Sequence, residues 1–233
     1  MLKETSLVPL VAATGVVRRD AQRGTMLLHP TNFTLNEGER VAITGPSGSG
    51  KSVLLRTLAL LDPCDAGFVT WRGERIQRAR IPAYRRRVAY IAQRPAMLDG
   101  SVEDNLRYPY TLATYRDARF DRHAAARLAQ AAGRGADFLD KFASDLSAGE
   151  AQIAAFVRVL QLAPDVLLLD EPTASLDPAS ARAIEALVSA WFDDAGSARA
   201  CIWVSHDPEQ ARRVAARHLT MTAGVLAEAK DAR

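Results

Sequence analysis

The chain has 233 residues, 48% of them apolar and 24% charged, which is the composition of a globular protein long enough to bury one sizeable core. Its net charge of +3 comes from scattered basic residues, so the arginine cluster at 85–87 is expected to be a solvated helix face rather than a nucleic-acid site. The two cysteines, Cys64 and Cys201, lack metal-site spacing and are expected to be reduced, and no run reaches the roughly 18 apolar residues that a membrane span needs.

The first apolar stretch, residues 7–17, is predicted to be an edge strand of the domain. Pro9, Thr14 and Gly15 interrupt it and no Arg/Lys-rich region precedes it, which argues against a secretory signal. The elements that follow are predicted to be strands at 30–35 and 40–44, a helix at 52–61 that Asp62-Pro63 ends, and strands at 68–71 and 88–92.

The second half of the chain begins with a helical pattern. From about residue 101 to residue 162, apolar residues recur at helical spacing, most clearly in 123–132 and 151–160. Strands and helices then alternate, with strands at 166–169 and 200–204 and helices at 178–192 and 208–215. Because the strands are continuously apolar and alternate with helices, the pattern predicts a parallel sheet covered by helices, with the helical stretch inserted between two of its strands.

One loop carries the pattern G-x-x-x-x-G-K-[ST] between a predicted strand and a predicted helix. Its residues are Gly45, Pro46, Ser47, Gly48, Ser49, Gly50, Lys51 and Ser52. Glycines allow successive N–H groups to close on phosphate oxygens, and the following helix directs its positive end at the same anion. Lys51 is expected to reach the β- and γ-phosphates of a nucleoside triphosphate, and the Ser52 hydroxyl to ligate Mg²⁺. The alternative is a chance Gly/Ser turn, which the flanking strand and helix disfavour.

Two carboxylates, Asp170 and Glu171, follow the buried strand at 166–169, on the edge where open α/β sheets bind ligands. Asp170 is expected to hold Mg²⁺, and Glu171 to be the general base that polarises a water for attack on the γ-phosphate. The alternative is a strand that simply ends in a polar turn, since Pro172 follows. The phosphate loop favours the catalytic interpretation.

A further segment, Leu146-Ser147-Ala148-Gly149-Glu150, begins a helix upstream of Asp170. With it, the sequence resembles the ATP-binding subunits of ABC transporters, whose signature is L-S-G-G-Q. The resemblance covers nearly the whole chain. It implies one ATPase domain over residues 1–233, a P-loop NTPase fold with a mostly parallel sheet, an N-terminal antiparallel β subdomain, and a helical subdomain inserted at roughly 95–163.

The resemblance also implies roles for residues outside the phosphate loop. Gln93 resembles the Q-loop glutamine, which contacts Mg²⁺ and the attacking water, and His206 resembles the switch histidine, which bonds the γ-phosphate. With Lys51 and Glu171 they form the implied catalytic set. Residues 174–177 resemble the D-loop, which crosses a dimer interface. A lone Gln or His would be an ordinary turn residue, but five motifs in the family's order exclude that interpretation.

In this family the signature closes over the ATP held by the opposite subunit. Ser147, Gly149 and Glu150 are therefore expected to bind nucleotide across a homodimer that forms on ATP binding, and the implied ligands are ATP and Mg²⁺. Two signature positions depart from the family pattern, because Ala148 and Glu150 replace Gly and Gln. The methyl group of Ala148 is expected to tighten the approach of the backbone to the nucleotide.

Other departures lie outside the signature segment. Val53, counted with the nucleotide-binding loop, replaces the usual Thr, and Ile153 stands where Arg is common. No aromatic residue occurs at 16–23, where the family stacks adenine on a ring. Residues expected to cover the base instead are Arg18, Arg19 or the stem of Gln22.

The resemblance implies a polytopic transmembrane permease as partner, docked between the Q-loop and the helical insertion. The segment 94–105 is partly apolar through Met97 and Leu98, and Tyr108 and Tyr110 lie beyond it, which suits a coupling helix of a permease. The alternative is packing of these side chains within the helical subdomain. A nucleic-acid partner is not expected, and the implied location is cytoplasmic, peripheral on the inner face of the membrane through the permease.

A narrower resemblance rests on the segments 84–93, 104–109 and 202–207 and on the short chain. They look like those of the ATP-binding subunits of Fet-type bacterial exporters, implicated in efflux of iron or another metal. Three other functions are alternatives. A soluble ABC ATPase acting on nucleic acid or ribosomes predicts paired domains, long coiled-coil arms or zinc-binding cysteines, and a small-molecule kinase would not need residues 146–150 or His206. A module that holds ATP without turnover would not need Glu171 and His206, but the altered signature is compatible with it.

Overall fold

The computed structural model describes residues 8–194 and 198–229. Its strands are β1 Val11–Arg19, β2 Met26–Leu35, β3 Arg40–Thr44, β4 Ala66–Trp71, β5 Glu74–Arg75, β6 Val88–Ile91, β7 Val166–Asp170, β8 Ala200–Val204, β9 Arg217–Thr222 and β10 Val225–Glu228. Its α-helices are α1 Lys51–Leu58, α2 Ile81–Arg87, α3 Val102–Arg107, α4 Arg122–Ala131, α5 Ala148–Leu160, α6 Pro178–Asp193 and α7 Pro208–Val214. Within the described ranges, the strands form two sheets.

The larger sheet has the strand order β10-β9-β3-β8-β7-β6. Neighbouring strands in it are parallel, except that β10 pairs with β9 in the antiparallel sense. Every residue of β7 and β8 is buried, as expected for apolar strands with helices on both faces. The predicted mostly parallel sheet covered by helices is confirmed.

The smaller sheet is antiparallel and has the order β2-β1-β4-β5. The prediction of an edge strand at 7–17 is wrong, because β1 pairs with β2 on one side and with β4 on the other. Residue 7 lies outside the described residues. The sequence pattern could not reveal this, since alternation along one strand does not show whether a strand from a distant segment covers its second edge. The strands β5, β9 and β10 were not predicted at all.

Helix α1 begins at Lys51 and ends at Leu58, three residues before the predicted end at residue 61. Leu60 has a positive φ of 54°, and the N–H groups of Leu61 and Asp62 both donate to the carbonyl of Arg56. A left-handed residue closes the last turn of a helix in this manner. The helix therefore ends through its own cap, before Asp62-Pro63 can stop it.

The segment between β6 and β7 is largely helical and has its own apolar cluster. Helix α5 packs against α3, α4 and α6. Phe138, Phe156 and Ile153 are fully buried in this cluster, which also includes residues of β7 and β8. Ile153, which replaces a common Arg, is therefore a core residue. Within the described part of the chain, no helix is long and apolar enough to cross a membrane.

The buried amide of Asn105 in α3 connects this helical segment to the loop that follows β6. Its Oδ1 accepts a hydrogen bond from the N–H of Leu98 at 2.8 Å, and its Nδ2 donates to the carbonyls of Leu98 and Ser101 at 3.0 and 2.9 Å. The two bonds to Leu98 pair both backbone polar groups of that residue, whereas the Ser101 carbonyl also accepts from the N–H of Asn105 at 3.2 Å.

Asn105→Leu should lower the free energy of unfolding by about 3 kcal/mol, because it removes the partners of the N–H and the carbonyl of Leu98 and buries no polar group in their place. Urea denaturation followed by circular dichroism measures the change. The matched control is Gln130→Leu on the exposed face of α4, which should stay within about 0.5 kcal/mol of the parent. Equal stabilities for the two variants would contradict the assignment.

Candidate active site

The loop at 45–52 connects β3 to α1, and its glycines adopt backbone angles that other residues resist. Gly45 has φ 145°, and a Cβ there would lie 2.1 Å from the carbonyl oxygen of Met221 in β9. Gly50 is the N-cap of α1 with φ 103°, and its Cβ would lie 2.7 Å from the carbonyl oxygen of Leu27. Lys51 is buried and donates hydrogen bonds to the carbonyls of Gly45 and Pro46 at 2.8 and 2.9 Å. These two hydrogen bonds hold the loop around the Lys51 side chain.

A cavity of about 490 Å³ opens over this loop. Predicted site residues that line it are Ser47, Gly48, Ser49, Gly50, Lys51, Ser52, Val53, Gln93 and Glu171. Met26 and Leu27 of β2, together with Ala223 and Gly224 of the turn between β9 and β10, complete the wall. The volume and the mixture of polar loop and apolar wall suit a nucleotide-sized ligand.

The apolar part of this wall differs from the prediction for the nucleobase. None of Arg18, Arg19 and Gln22 lines the cavity. The guanidinium of Arg18 pairs with Asp65 at 3.1 Å, and the N–H of Arg19 donates to the same carboxylate. Asp65 holds the Arg18 side chain, and the apolar side chains of β2 that line the cavity beside the loop are those of Met26 and Leu27.

Two hydroxyl groups contact the Asp170 carboxylate at the end of β7, beside the phosphate loop. The Ser52 hydroxyl donates to Oδ1 of Asp170 at 2.9 Å, and the Tyr90 hydroxyl donates to Oδ2 of the same carboxylate at 2.8 Å. Burial, followed by the hydrogen bond to Asp170, raises the pKa of Tyr90, so the phenol stays protonated and able to donate at neutral pH.

These oxygens fit a small hard cation, which prefers hydroxyl and carboxylate ligands and keeps several waters and substrate phosphates as the others. Within the described residues, no group of three or more His, Cys, Asp or Glu side chains could hold a metal. A site that combines Ser52, Asp170 and a nucleotide does not require one.

Tyr90 was not assigned a role from the sequence. In the parallel register, Tyr90 lies opposite Leu168, and Leu168 shares a strand face with Asp170. The contact between Tyr90 and Asp170 therefore follows from the pairing of β6 with β7, and the sequence pattern did not reveal that pairing.

Glu171 is the point where the remaining predicted catalytic residues meet. Lys51 Nζ lies 3.7 Å from its Oε1, and Gln93 Nε2 donates to its Oε2 at 3.3 Å. His206 Nδ1 lies 3.7 Å from the same Oε2. The backbone of Glu171 has a positive φ of 46°. This conformation costs a non-glycine residue of the order of 1–3 kcal/mol and persists only where the surroundings impose it.

The signature residues Ser147, Gly149 and Glu150 do not line this cavity. Ser147 caps α5, because its hydroxyl accepts from the N–H of Glu150 at 3.2 Å while Oε2 of Glu150 accepts from the N–H of Ser147 at 3.0 Å. Gly149 is buried, and a Cβ there would lie 2.7 Å from the Ser180 hydroxyl in α6. Ala148 is exposed, so its methyl group points away from this packing.

Glu150 replaces a neutral Gln but does not leave a free charge. Lys141 Nζ lies 2.9 Å from its Oε1. This ammonium group, together with the backbone N–H of Ser147, lowers the pKa of Glu150 to about 2. The carboxylate is therefore ionised at neutral pH and is paired with a cation. Its other oxygen accepts from the N–H of Ser147 and so completes the capping of the helix.

The amino-acid sequence matches one protein family and many of its members. Residues 28–174 match the family described as ABC transporter. The chain is 37% identical to "Phosphate import ATP-binding protein PstB 2" of Natronomonas pharaonis, over 88% of this chain and 75% of that protein. It is 32% identical to "Probable iron export ATP-binding protein FetA" of Escherichia coli, over 90% of this chain and 89% of that protein. The match covers only 62% of another relative, from rice.

Among solved structures, a dimeric ATP-binding cassette bound to ADP and phosphate in a post-hydrolysis state superimposes with a TM-score of 0.80. The superposition covers 94% of this chain and 99% of that one, at 24% sequence identity. At this identity the likeness concerns the fold, which agrees with the two sheets and the inserted helices described above.

Tyr90→Phe should raise the Mg²⁺ concentration required for half-maximal ATP hydrolysis by about tenfold, because Asp170 loses a donor that orients its carboxylate. Steady-state hydrolysis over a Mg²⁺ titration at saturating ATP measures it. Tyr110→Phe is the matched control, since the Tyr110 ring packs against Tyr115 and Phe120 in the helical segment. An unchanged Mg²⁺ titration in Tyr90→Phe would show that the hydroxyl does not orient Asp170.

Proposed function

The chain belongs to the ABC transporter family as an ATP-binding, ATP-hydrolysing subunit, and we propose that it energises a separate transmembrane permease through the site around Glu171. The observation that carries the assignment of this site is the convergence of Lys51, Gln93 and His206 on the Glu171 carboxylate beside the phosphate loop. We take the 233 residues as one ATPase domain in which residues 95–163 form the inserted helical subdomain.

In the proposed reaction the phosphate loop binds and orients the triphosphate. Its N–H groups and the N-terminus of α1 face the phosphates, and the Lys51 ammonium moves from the loop carbonyls to the β- and γ-phosphates. Ser52 and Asp170 would hold Mg²⁺, which would supply positive charge to the triphosphate.

Glu171 acts as the general base in this proposal. Its carboxylate takes the proton of a water as the water oxygen attacks the γ-phosphorus, and the bond from that phosphorus to the oxygen bridging to ADP breaks. Gln93 and His206, which both lie against Oε2 of Glu171, orient the water and the departing phosphate. Nothing in this step requires a covalent intermediate on the protein.

We further propose that the site is completed by a second copy of the chain. Ser147 and Ala148 are exposed at the start of α5, away from the cavity that holds the chain's own phosphate loop. An exposed helix N-terminus with a hydroxyl group suits a phosphate brought by another subunit. The dimeric state of the solved cassette supports this arrangement.

A second cavity, of about 500 Å³, is the proposed docking site for the permease. It lies between the α2–β6 region and the helical segment, and Leu98, Tyr108 and Leu112 in its lining are exposed by 43%, 47% and 42%. Met97 and Tyr110, in contrast, pack within the helical segment. An exposed apolar groove suits a short amphipathic helix of a membrane partner, which would hold the ATPase peripherally on the inner face of the membrane.

For the cargo, we propose export of iron or another metal. The Escherichia coli relative supports this choice, since it matches 90% of this chain over 89% of its own length. The phosphate-import relative has a higher identity of 37%, so the ATPase sequence alone does not separate the two cargoes. Metal uptake by inverted vesicles containing the chain and its permease tests the proposal, and ATP-driven transport of phosphate without metal transport would overturn it.

Glu171→Gln should slow ATP hydrolysis by at least about a hundredfold, because it removes the general base, while ATP traps a stable dimer. Size-exclusion chromatography with light scattering, with and without Mg·ATP, detects this dimer. Adding Ser147→Arg to the same chain should abolish the dimer without weakening ATP binding to the monomer. Parent-level turnover in Glu171→Gln would remove Glu171 as the base, and loss of monomer binding in the double variant would remove the role of Ser147 across the interface.

Leu98→Glu combined with Tyr108→Glu should reduce recovery of the permease with the tagged ATPase in mild detergent by at least about tenfold, because two carboxylates would enter an apolar contact. ATP hydrolysis by the isolated chain should stay unchanged. Val8→Glu, at an apolar residue exposed by 61% outside the groove, is the control for added surface charge. Undiminished recovery with the double variant would place the permease elsewhere.

A further inference from the structure

Gln210 of α7 is a buried amide that the proposed reaction does not use. It is only 6% exposed, yet each polar atom of its side chain has partners. Oε1 accepts from the Ser205 hydroxyl at 2.9 Å and from Trp203 Nε1 at 3.4 Å. Nε2 donates to the Thr173 hydroxyl and to Oε1 of Glu185, both at 2.8 Å. One side chain thus joins β8, α6 and the turn after β7 to its own helix.

Two of these bonds lead directly to the loops that carry Glu171 and His206. Thr173 lies two residues after Glu171, in a turn closed by the hydrogen bond from the N–H of Ala174 to the Glu171 carbonyl at 3.2 Å. Ser205 immediately precedes His206, and its hydroxyl also accepts from the N–H of Asp207 at 3.0 Å. The amide therefore contacts both loops from beneath.

A cavity beside the site is lined both by the proposed catalytic residues and by the residues that Gln210 contacts. This cavity of about 410 Å³ has Glu171 and His206 in its lining together with Thr173, Ser205 and Gln210. Glu171 and His206 come from different strands, and nothing along the chain fixes the 3.7 Å between His206 Nδ1 and Oε2 of Glu171. Hydrogen bonds in a buried polar network are directional and stiff when all its members are satisfied.

The strained backbone of Glu171 adds a reason for such a bond. A positive φ at a glutamate persists only where neighbouring contacts impose it. Thr173 is buried, and its hydroxyl accepts from Gln210. Loss of that bond frees the turn, so the Glu171 carboxylate would sample positions from which it cannot activate the attacking water.

We propose that Gln210 is a positioning residue for ATP hydrolysis, which holds the Glu171 turn and the His206 loop at a fixed separation through Thr173 and Ser205. The inference rests on the proposed role of Glu171 and His206. Gln210 does not touch the substrate. A primary amide suits the position because it presents a donor to Thr173 and an acceptor to Ser205 at once.

Gln210→Met keeps the volume and removes both ends of the amide. We expect kcat to fall at least about tenfold, since loss of an outer-shell contact displaces the base and the histidine, while KM for ATP stays within about twofold. Gln161→Met is the matched control: Gln161 is a half-buried amide of the helical segment that donates to the Leu106 carbonyl at 2.6 Å. It should change thermal stability without lowering kcat. Gln210→Leu, which also lacks both ends of the amide and adds no charge, replaces Gln210→Met if the latter does not fold.

Thr173→Val and Ser205→Ala each remove one of the two hydroxyl partners, or arms, of Gln210. They distinguish an effect on positioning from an effect on overall stability. Each should lower kcat, and adding both to Gln210→Met should lower it by less than a further threefold or so, because the arms act through the same amide. A kcat within threefold of the parent for the Gln210 variants, or losses that multiply across the three positions, would overturn the inference.

Glu171→Gln, measured alongside, distinguishes the proposed role of Glu171 from the positioning role of Gln210. Parent-level turnover in that variant defeats the proposed role of Glu171 itself. A slow Glu171→Gln together with a normal Gln210→Met defeats only the positioning role.

Discussion

Parallel pairing of buried strands is the constraint on which the rest of the molecule depends. Because β3, β6, β7 and β8 run in the same direction, their carboxyl ends lie along one edge of the sheet. The phosphate loop, Gln93, the Asp170–Glu171 pair and His206 each follow one of these strands. The candidate active site is therefore a product of strand order, which brings together four segments that are remote in sequence.

Several backbone and side-chain features at that edge of the sheet, and in the helix α7 beside it, oppose folding. Glu171 adopts a left-handed backbone, and Lys51, Asp170 and Gln210 are buried polar side chains. Unpaired, such groups destabilise a fold by several kcal/mol each, and here they are paired with one another, with loop carbonyls or with hydroxyls. The wholly buried strands β7 and β8 supply the apolar burial that offsets the remaining strain.

The altered signature shows how a local change can be accommodated by neighbouring residues. A carboxylate in place of the family's amide at Glu150 would add negative charge near a helix end that is expected to face phosphate. Lys141 pairs with that carboxylate, and the other oxygen caps the helix. The exposed Ala148 and the buried Gly149 divide the signature into a surface part and a packing part. The proposed contact with a second subunit therefore depends mainly on Ser147.

The sequence by itself determined the fold class and predicted the phosphate loop and the catalytic set of Gln93, Glu171 and His206, because short motifs and strand periodicity are local properties. Only the tertiary structure decided that β1 is internal, that Tyr90 contacts Asp170 while Gln210 contacts Thr173, and that Met26 rather than Arg18 borders the cavity over the phosphate loop. Each of these depends on register or packing between distant segments, which composition and spacing along one chain do not encode. The same reasoning explains why the convergence on Glu171 could be expected from the motifs while the distances within it could not.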